Sequence, residues 1–173
     1  MKHKSIIIAG LTIFLSVSAF ASTSVVISVG TNQNSVLLGG PAVVTMRQLT
    51  IAPGEVLAWH YHPCLVITVI KQGTLTVEDG CGGMEVFKAG DSFEEEPFRV
   101  HHGMNLGTED VISIQTFVAV PGTPTTVPTP NNQPLCGAPQ TVEECKNGGW
   151  MKFNFPRTFT SQGDAEQYVI TGK

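Results

Sequence analysis

The chain has 173 residues, of which 10 are basic and 14 acidic, and its formal net charge is −4 at pH 7. This balance excludes the basic surface with which proteins bind nucleic acid or anionic membranes. The length suits one compact domain with accessory segments. Because glycine, proline and β-branched residues are frequent and only 14% of residues are charged, we predict an all-β domain rich in turns.

The first 21 residues have the layout of a secretory signal peptide. Lys2 and Lys4 form a positive start, an apolar run follows over residues 6–20, and Ala19-Phe20-Ala21 has the form of a cleavage site. The run is short for a membrane span, and an N-terminal anchor helix is the alternative. We therefore predict a secreted or periplasmic protein with no membrane span after cleavage.

Short β-type runs alternate with turn residues between residues 25 and 120, which predicts a sandwich or barrel. The eight predicted strands are 25–29, 43–51, 56–62, 65–70, 74–78, 84–87, 92–94 and 111–120. We assign residues 22–121 to the barrel, 122–140 to a proline-rich linker leaving it, and 141–173 to a small tail. The tail has one helix signal, over residues 161–170, with Ser161 as the N-cap.

Beyond the predicted signal peptide, histidine occurs in two pairs, His60 with His62 and His101 with His102. Residues two apart in a strand point to the same face, so His60 and His62 project together. A third imidazole must come from a distant strand, and His101 or His102 is the source. Neutral imidazole is a common ligand of Zn, Cu, Fe and Ni, although an isolated His-x-His also occurs without metal.

The histidines lie within two longer motifs. The first consists of Gly54, His60-Tyr61-His62 and Gly73, and the second of Gly90-Asp91-Ser92-Phe93, Pro97, His101 and Asn105. In order and separation they resemble the paired motifs of the cupin superfamily, over roughly residues 43–120. The resemblance implies an all-β, jelly-roll-like barrel. It also implies one divalent metal ion (Fe, Zn, Mn, Ni or Cu) on His60, His62 and His101, with His102 pointing the other way.

One position departs from the resemblance. The glutamate of the first cupin motif would fall at Val66 or Ile67, and neither side chain binds metal. The site is therefore either a three-histidine site, as in some iron-dependent dioxygenases of the superfamily, or is completed from elsewhere. Loss of a negative ligand lowers the affinity for hard ions such as Mn²⁺.

The four cysteines allow three pairings into two disulfides. If Gln72-Gly73 is a two-residue hairpin turn, Cys64 faces Cys81 in a close, non-hydrogen-bonded pair. We therefore predict Cys64–Cys81 and, by elimination, Cys136–Cys145. The alternative for Cys64 is a thiolate or redox group beside the metal.

Two groups of carboxylates are candidates for the missing ligand or for acid–base chemistry. The hairpin register would place Asp79 opposite Val66, although Asp79 more simply belongs to the Asp79-Gly80 turn. The run Glu94-Glu95-Glu96 is interpreted as a solvated edge that discourages strand pairing, and nothing supports Glu96 as a proton donor.

Cys145-Lys146-Asn147-Gly148-Gly149-Trp150, followed by a Gln-Gly pair, resembles a short segment at the ends of exported bacterial proteins. The second cysteine of that segment would fall at Ala165, which favours Cys136 as the partner of Cys145. We interpret the tail as a stabilising or surface-contact appendage.

Trp59, Tyr61 and Phe98 flank the histidines and either wall a pocket or belong to the core. Leu65, Ile67 and Val69 form an outward stripe that we interpret as an association surface, so a homodimer is expected.

Two functions follow. The first is a dioxygenase-type metalloenzyme that acts on a small organic molecule. The second is a non-catalytic envelope protein that binds a small molecule and whose metal is structural.

Overall fold

A computed structural model describes residues 22–173, so the predicted signal peptide lies outside the described residues. The strands are β1 (Thr23–Ser35), β2 (Gly40–Ile51), β3 (His60–Tyr61), β4 (Leu65–Gln72), β5 (Thr74–Asp79), β6 (Met84–Lys88), β7 (Ser92–Glu95), β8 (His101–Met104), β9 (Val111–Ala119) and β10 (Val127–Pro128). The helices α1 (Val142–Cys145) and α2 (Gln162–Thr171) follow, with 3-10 turns at Pro130–Asn132 and Lys146–Lys152. Each of the eight predicted strands has a counterpart, and β8 and β10 were not predicted.

The strands form two antiparallel five-stranded sheets, in the orders β1-β2-β9-β4-β7 and β10-β3-β8-β5-β6. This arrangement confirms the predicted all-β, jelly-roll-like barrel. Side chains of β9 alternate strictly between buried and partly exposed positions, which is the pattern of a strand with one face on a core.

The apolar core joins the two sheets. A buried cluster consists of Leu49, Ile51, Ile70, Leu75 and Val111. Burial of one such aliphatic side chain contributes roughly 1.5–3 kcal/mol. A second cluster contains Cys64, Val66, Phe117 and Ala119, and it lies beside the histidines, since the rings of Phe117 and His62 are 5.4 Å apart.

The predicted hairpin between residues 65 and 78 is wrong. β4 pairs with β7 and β9, whereas β5 pairs with β6 and β8, so Gly73 lies where the chain crosses from one sheet to the other. Gly73 has φ +76°, and a Cβ there would lie 2.7 Å from the carbonyl oxygen of Asp110. Glycine is therefore required at this crossing by both conformation and space.

The predicted disulfides are also wrong, because they rested on that hairpin register. The disulfide joins Cys81 to Cys136, with 4.4 Å between the Cα atoms, and Cys64 and Cys145 are free and buried. Cys64 directly precedes β4 of the first sheet, and Cys81 follows β5 of the second, which separates the two cysteines.

The proline-rich segment runs along the barrel. Val127 and Pro128 pair with Tyr61 and His60 of β3, and the amide of Thr129 donates a hydrogen bond of 2.9 Å to the carbonyl of Trp59. The segment expected to be a linker thus covers the strand that carries the first histidine.

The tail has a small core of its own around the disulfide. Cys145, Phe153, Phe159 and Ala165 are buried in one cluster with Cys136. The predicted helix is confirmed as α2, with the Ser161 hydroxyl accepting a 3.1 Å hydrogen bond from the Asp164 amide. No helix among residues 22–173 has both the length and the apolar character needed to cross a membrane.

Candidate metal centre

Three histidines converge inside the barrel. One ring nitrogen from each of His60, His62 and His101 lies within 4.8 Å of the others. His62 is fully buried and His101 nearly so, whereas His60 is half-buried and lines the internal cavity. The three side chains predicted from the sequence are therefore brought together in a group that could hold a metal ion.

Strand pairing explains the convergence. His60 in β3 and His101 in β8 are direct cross-strand partners, so they project from the same face of the sheet. His62 follows two residues after His60 and keeps to the same side. The carbonyl of His62 accepts a 2.8 Å hydrogen bond from the amide of Phe98, which holds the chain after β3 in place.

Each histidine has its Nδ1 atom against a backbone carbonyl. The Nδ1 distances are 2.7 Å from His60 to Ala58, 2.5 Å from His62 to Thr125, and 2.9 Å from His101 to Arg99. Because a carbonyl only accepts, each Nδ1 carries the proton and each Nε2 is left to face the centre. Protein ligands of metal ions commonly have this outer hydrogen bond, which fixes the tautomer and the ring orientation.

Glu95 supplies a carboxylate at the same centre. Its Oε2 atom lies 2.9 Å from Nε2 of His62 and 3.1 Å from Nε2 of His101. Its Oε1 atom accepts hydrogen bonds from the Thr68 hydroxyl and, at 3.3 Å, from the side-chain amide of Gln115. Glu95 is buried, so the interpretation of residues 94–96 as a solvated edge is wrong at this position.

The charges of the group are coupled. Burial alone raises the pKa of Glu95, but the adjacent rings of His101 and His62 more than reverse this and hold the pKa well below its usual range. Burial alone lowers the pKa of His101, and the hydrogen bond and charge of Glu95 outweigh it, so the net pKa is raised. Burial and the two neighbouring histidines lower the pKa of His60 to about 3, which keeps it neutral.

The remaining candidates lie outside the centre. Oδ1 of Asp79 accepts hydrogen bonds from the amides of Cys81 and Gly83, at 2.9 and 2.7 Å, so it stabilises the turn as the simpler interpretation predicted. His102 points the other way, as predicted, and its Nε2 lies 3.1 Å from Oε2 of Glu78. The ring of Trp59 stacks on His102 at 3.8 Å.

Tyr61 and Phe98 are not part of the internal cavity. The Tyr61 ring lies 6.0 Å from that of Phe98 and 4.9 Å from that of Phe155, so it joins the barrel to the tail. The aromatic wall of the cavity comes instead from Phe93.

The internal cavity reaches the histidine centre and has a volume of about 230 Å³. His60, His101 and Glu95 form part of its lining, and apolar side chains of both sheets form most of the rest. Such a cavity has room for a molecule smaller than the drug-sized ligands that fill pockets of roughly 300–1,000 Å³.

The two antiparallel sheets form a jelly-roll barrel, and the three histidines inside it form a group that could hold a metal ion. Residues 47–117 match the family model of the cupin domain, which supports the membership of the cupin superfamily that the sequence motifs predict. A search of curated protein sequences finds no significant match.

Several solved structures are similar in chain trace. One is an uncharacterized conserved protein with a double-stranded β-helix domain from Klebsiella pneumoniae, at 24% identity, 65% coverage of this chain, 88% of that chain and a TM-score of 0.49. Another is a cupin domain from Bordetella pertussis, at 17% identity, 57% and 94% coverage and a TM-score of 0.45. A third is a DMSP lyase from Ruegeria pomeroyi, at 15% identity, 50% and 43% coverage and a TM-score of 0.45.

Sequence reasoning missed Glu95. The one signal available was the alternation of β7, which places Glu95 on the same face as the apolar Phe93. The exposed neighbours Glu94 and Glu96 hide that signal, because the three residues read as one acidic run.

Proposed function

We propose that the protein binds one divalent transition-metal ion through His60, His62 and His101, with Glu95 as a fourth ligand. We further propose that it is a metal-dependent enzyme, of dioxygenase type, acting on a small organic molecule. The observation that carries the proposal is the set of three Nδ1–carbonyl contacts, which directs all three Nε2 atoms to one point.

The positions of the His62 and Glu95 donor atoms suit coordination of a metal ion better than a hydrogen bond between them. Nε2 of His62 is buried and has no hydrogen-bond partner of acceptable geometry, although Glu95 lies 2.9 Å away. A buried polar atom without a partner costs free energy, which a bound cation would remove. The short contact between Nε2 of His62 and Oε2 of Glu95 therefore supports these two atoms as ligands of one metal ion.

The Glu95 carboxylate widens the range of metal ions that the proposed site suits. Three imidazoles alone favour borderline ions such as Zn²⁺ and Cu²⁺, whereas an added carboxylate suits Mn²⁺ and Fe²⁺ as well. Glu95 thus restores the negative ligand that the sequence lacks at Val66. Fe, Mn, Ni, Zn and Cu remain the candidates.

The chain's own residues prepare the cavity for chemistry. A metal ion bound here supplies Lewis acidity or redox chemistry to a molecule in the cavity. Thr68 and Gln115 fix the orientation of the Glu95 carboxylate through Oε1. The apolar side chains of the cavity wall suit the apolar part of an organic substrate.

Metal content tests the proposal. We expect about one metal ion per chain in the purified protein and almost none in a His60→Ala/His62→Ala variant. His102→Ala is the matched control, because His102 points away from the centre and should leave the metal bound. A wild-type protein without stoichiometric metal contradicts the proposal.

Oxygen consumption separates the two classes of function. The metal-loaded protein should consume O₂ with at least one member of a panel of diketones, flavonols and thiols, and the double variant should not. A protein that binds metal but turns over nothing, and whose metal loss lowers only its thermal stability, would be the non-catalytic envelope protein.

We also propose export to the periplasm or the exterior. The disulfide between Cys81 and Cys136 supports this, because disulfides persist in oxidising compartments. Cell fractionation with N-terminal sequencing should give a mature chain that begins at Ser22. A chain retained in the cytoplasm with residues 1–21 attached would contradict it.

A further inference from the structure

Arg47 is a cationic side chain inside the cavity that leads to the histidine centre. It lies in β2, and its cross-strand partner is Gln115 in β9, which in turn faces Thr68 in β4. The row Arg47–Gln115–Thr68 therefore lies on the inner face of the sheet, next to the row that contains Glu95. Arg47 is half-buried.

The Arg47 guanidinium makes two hydrogen bonds and has further N–H groups without a partner among the described residues. Its Nε donates a 2.8 Å hydrogen bond to Oε1 of Gln115, and Nη1 donates a 3.4 Å hydrogen bond to the Thr126 hydroxyl. The group also stacks over the Phe117 ring at 4.4 Å. In the described part of the chain, Nη2 has no hydrogen-bond partner.

The positive charge has no partner of its own. Among residues 22–173, no carboxylate forms an ion pair with Arg47. Gln115 links Arg47 to Glu95, since its Oε1 accepts from Arg47 and its Nε2 donates to Oε1 of Glu95, whose Oε2 faces the histidines. A charge that lines an apolar cavity is usually paired, since desolvation without a partner is costly.

We infer that Arg47 binds the anionic group of a small organic acid, so that the substrate of the proposed enzyme is a carboxylate with a short apolar body. The inference rests on the proposed function for the identity of the reacting centre. A planar guanidinium with free N–H groups matches a carboxylate, and Leu49, Leu57 and Phe93 contact the apolar body.

Electrostatics support the same class of ligand. The three histidines are neutral when they bind a divalent ion, and the single Glu95 charge leaves the centre positive. Arg47 adds a further positive charge in a cavity of low polarity, where charges are weakly screened. A neutral or cationic ligand would leave this excess uncompensated.

A simpler role is that Arg47 only positions Gln115, and through it Glu95. If Arg47 has only that role, its loss should change metal binding, and the protein should bind an anion and its neutral isostere with the same affinity. The test therefore uses butanoate and its neutral isostere butanamide as probes, with binding measured by NMR titration and calorimetry. Metal content is assayed separately, so failure of the metal proposal is seen independently.

We expect the wild-type protein, both metal-free and Zn²⁺-loaded, to bind butanoate more tightly than butanamide. Arg47→Met should lower butanoate affinity roughly 10- to 100-fold, the loss of one or two charge-assisted hydrogen bonds, and leave butanamide affinity nearly unchanged. Arg47→Lys should lie between. Lys71→Met, which removes one exposed positive charge elsewhere, should leave both affinities unchanged.

Equal binding of butanoate and butanamide by the wild-type protein would overturn the inference. So would unchanged butanoate affinity in a folded Arg47→Met variant. If Arg47→Met does not fold, Arg47→Lys and the wild-type comparison of the two probes still decide the matter.

Discussion

Val66 and Glu95 are direct cross-strand partners on β4 and β7. Side chains of such partners project from one face of a sheet. The resemblance places the metal-binding glutamate of the cupin motif at Val66 or Ile67, and Glu95 brings a carboxylate beside Val66 from the neighbouring strand. Under the proposed function, Glu95 would supply across the sheet the carboxylate that the motif lacks.

Exchange of these two residues tests that relationship. Glu95→Gln should lower metal affinity by more than the roughly 10- to 100-fold that loss of an outer partner costs. Combining Val66→Glu with Glu95→Val should recover part of the affinity, because the carboxylate returns on the opposite strand of the same pair. Competition with a chromogenic chelator measures the affinities.

Glu94→Gln is the control for this exchange, since Glu94 is the exposed neighbour on β7 and should leave affinity unchanged. If Glu95→Gln binds metal as tightly as the wild type, Glu95 is not a ligand.

Thr68 should affect the metal through Glu95. Its buried hydroxyl donates to Oε1 of Glu95, and Thr68→Val removes that donor at nearly constant volume. We expect metal affinity to fall roughly 10- to 100-fold with little change in fold. Thr76→Val, a buried threonine with no bond to Glu95, is the matched control. Equal affinities for the two variants would argue against orientation of Glu95 by Thr68.

Metal binding should release a proton at pH values below the raised pKa of His101. In the metal-free protein, Nδ1 of His101 donates to the Arg99 carbonyl, and its Nε2 can donate to Glu95 only when the ring is protonated. Glu95 raises the pKa of His101 against the lowering effect of burial, so this proton is held until the pH passes the raised pKa. Metal affinity should rise with pH up to that point and then level off.

Calorimetry in two buffers of different ionisation enthalpy measures the released proton. Glu95→Gln removes the group that raises the pKa of His101, so less proton release is expected at the same pH. If the wild type releases no proton on metal binding, or if Glu95→Gln releases as much as the wild type, Glu95 does not control the protonation of His101.

The disulfide should contribute strongly to stability. Cys81 and Cys136 are 55 residues apart, and closing a loop of that size stabilises a fold by about 4 kcal/mol in the chain-entropy model. A Cys81→Ala/Cys136→Ala variant should lose that amount of the free energy of unfolding in urea. Mass mapping of unreduced digests should join Cys81 to Cys136; a peptide joining Cys64 to Cys81 would show a different pairing.

The homodimer expectation concerns the outer face of the first sheet. Ile67 and Val69 are 39% and 43% exposed, whereas Leu65, the third residue of the predicted stripe, is partly buried. We expect sedimentation to give a dimer, and Ile67→Lys/Val69→Lys to shift it to a monomer. A dimer that survives this change would place the contact elsewhere, with the exposed Val26 and Ile27 on edge strand β1 as the next candidates.

The sequence alone determined the local features. Alternating apolar residues and turn residues predicted the β-strands, and the spacing of His60 and His62 placed both rings on one side. The Ser161 cap predicted α2. Each of these depends on residues close together in the chain, where the geometry of a strand or a helix is already known.

Only the tertiary structure decided which strands are neighbours. The Gln72-Gly73 pair reads as a hairpin turn, but Gly73 carries the chain between sheets, and the cysteine pairing changes with it. Glu95 reaches the centre because β7 pairs with β4, a contact between strands that are not consecutive. Such pairings depend on how both sheets bury their apolar faces together, and no local pattern contains that information.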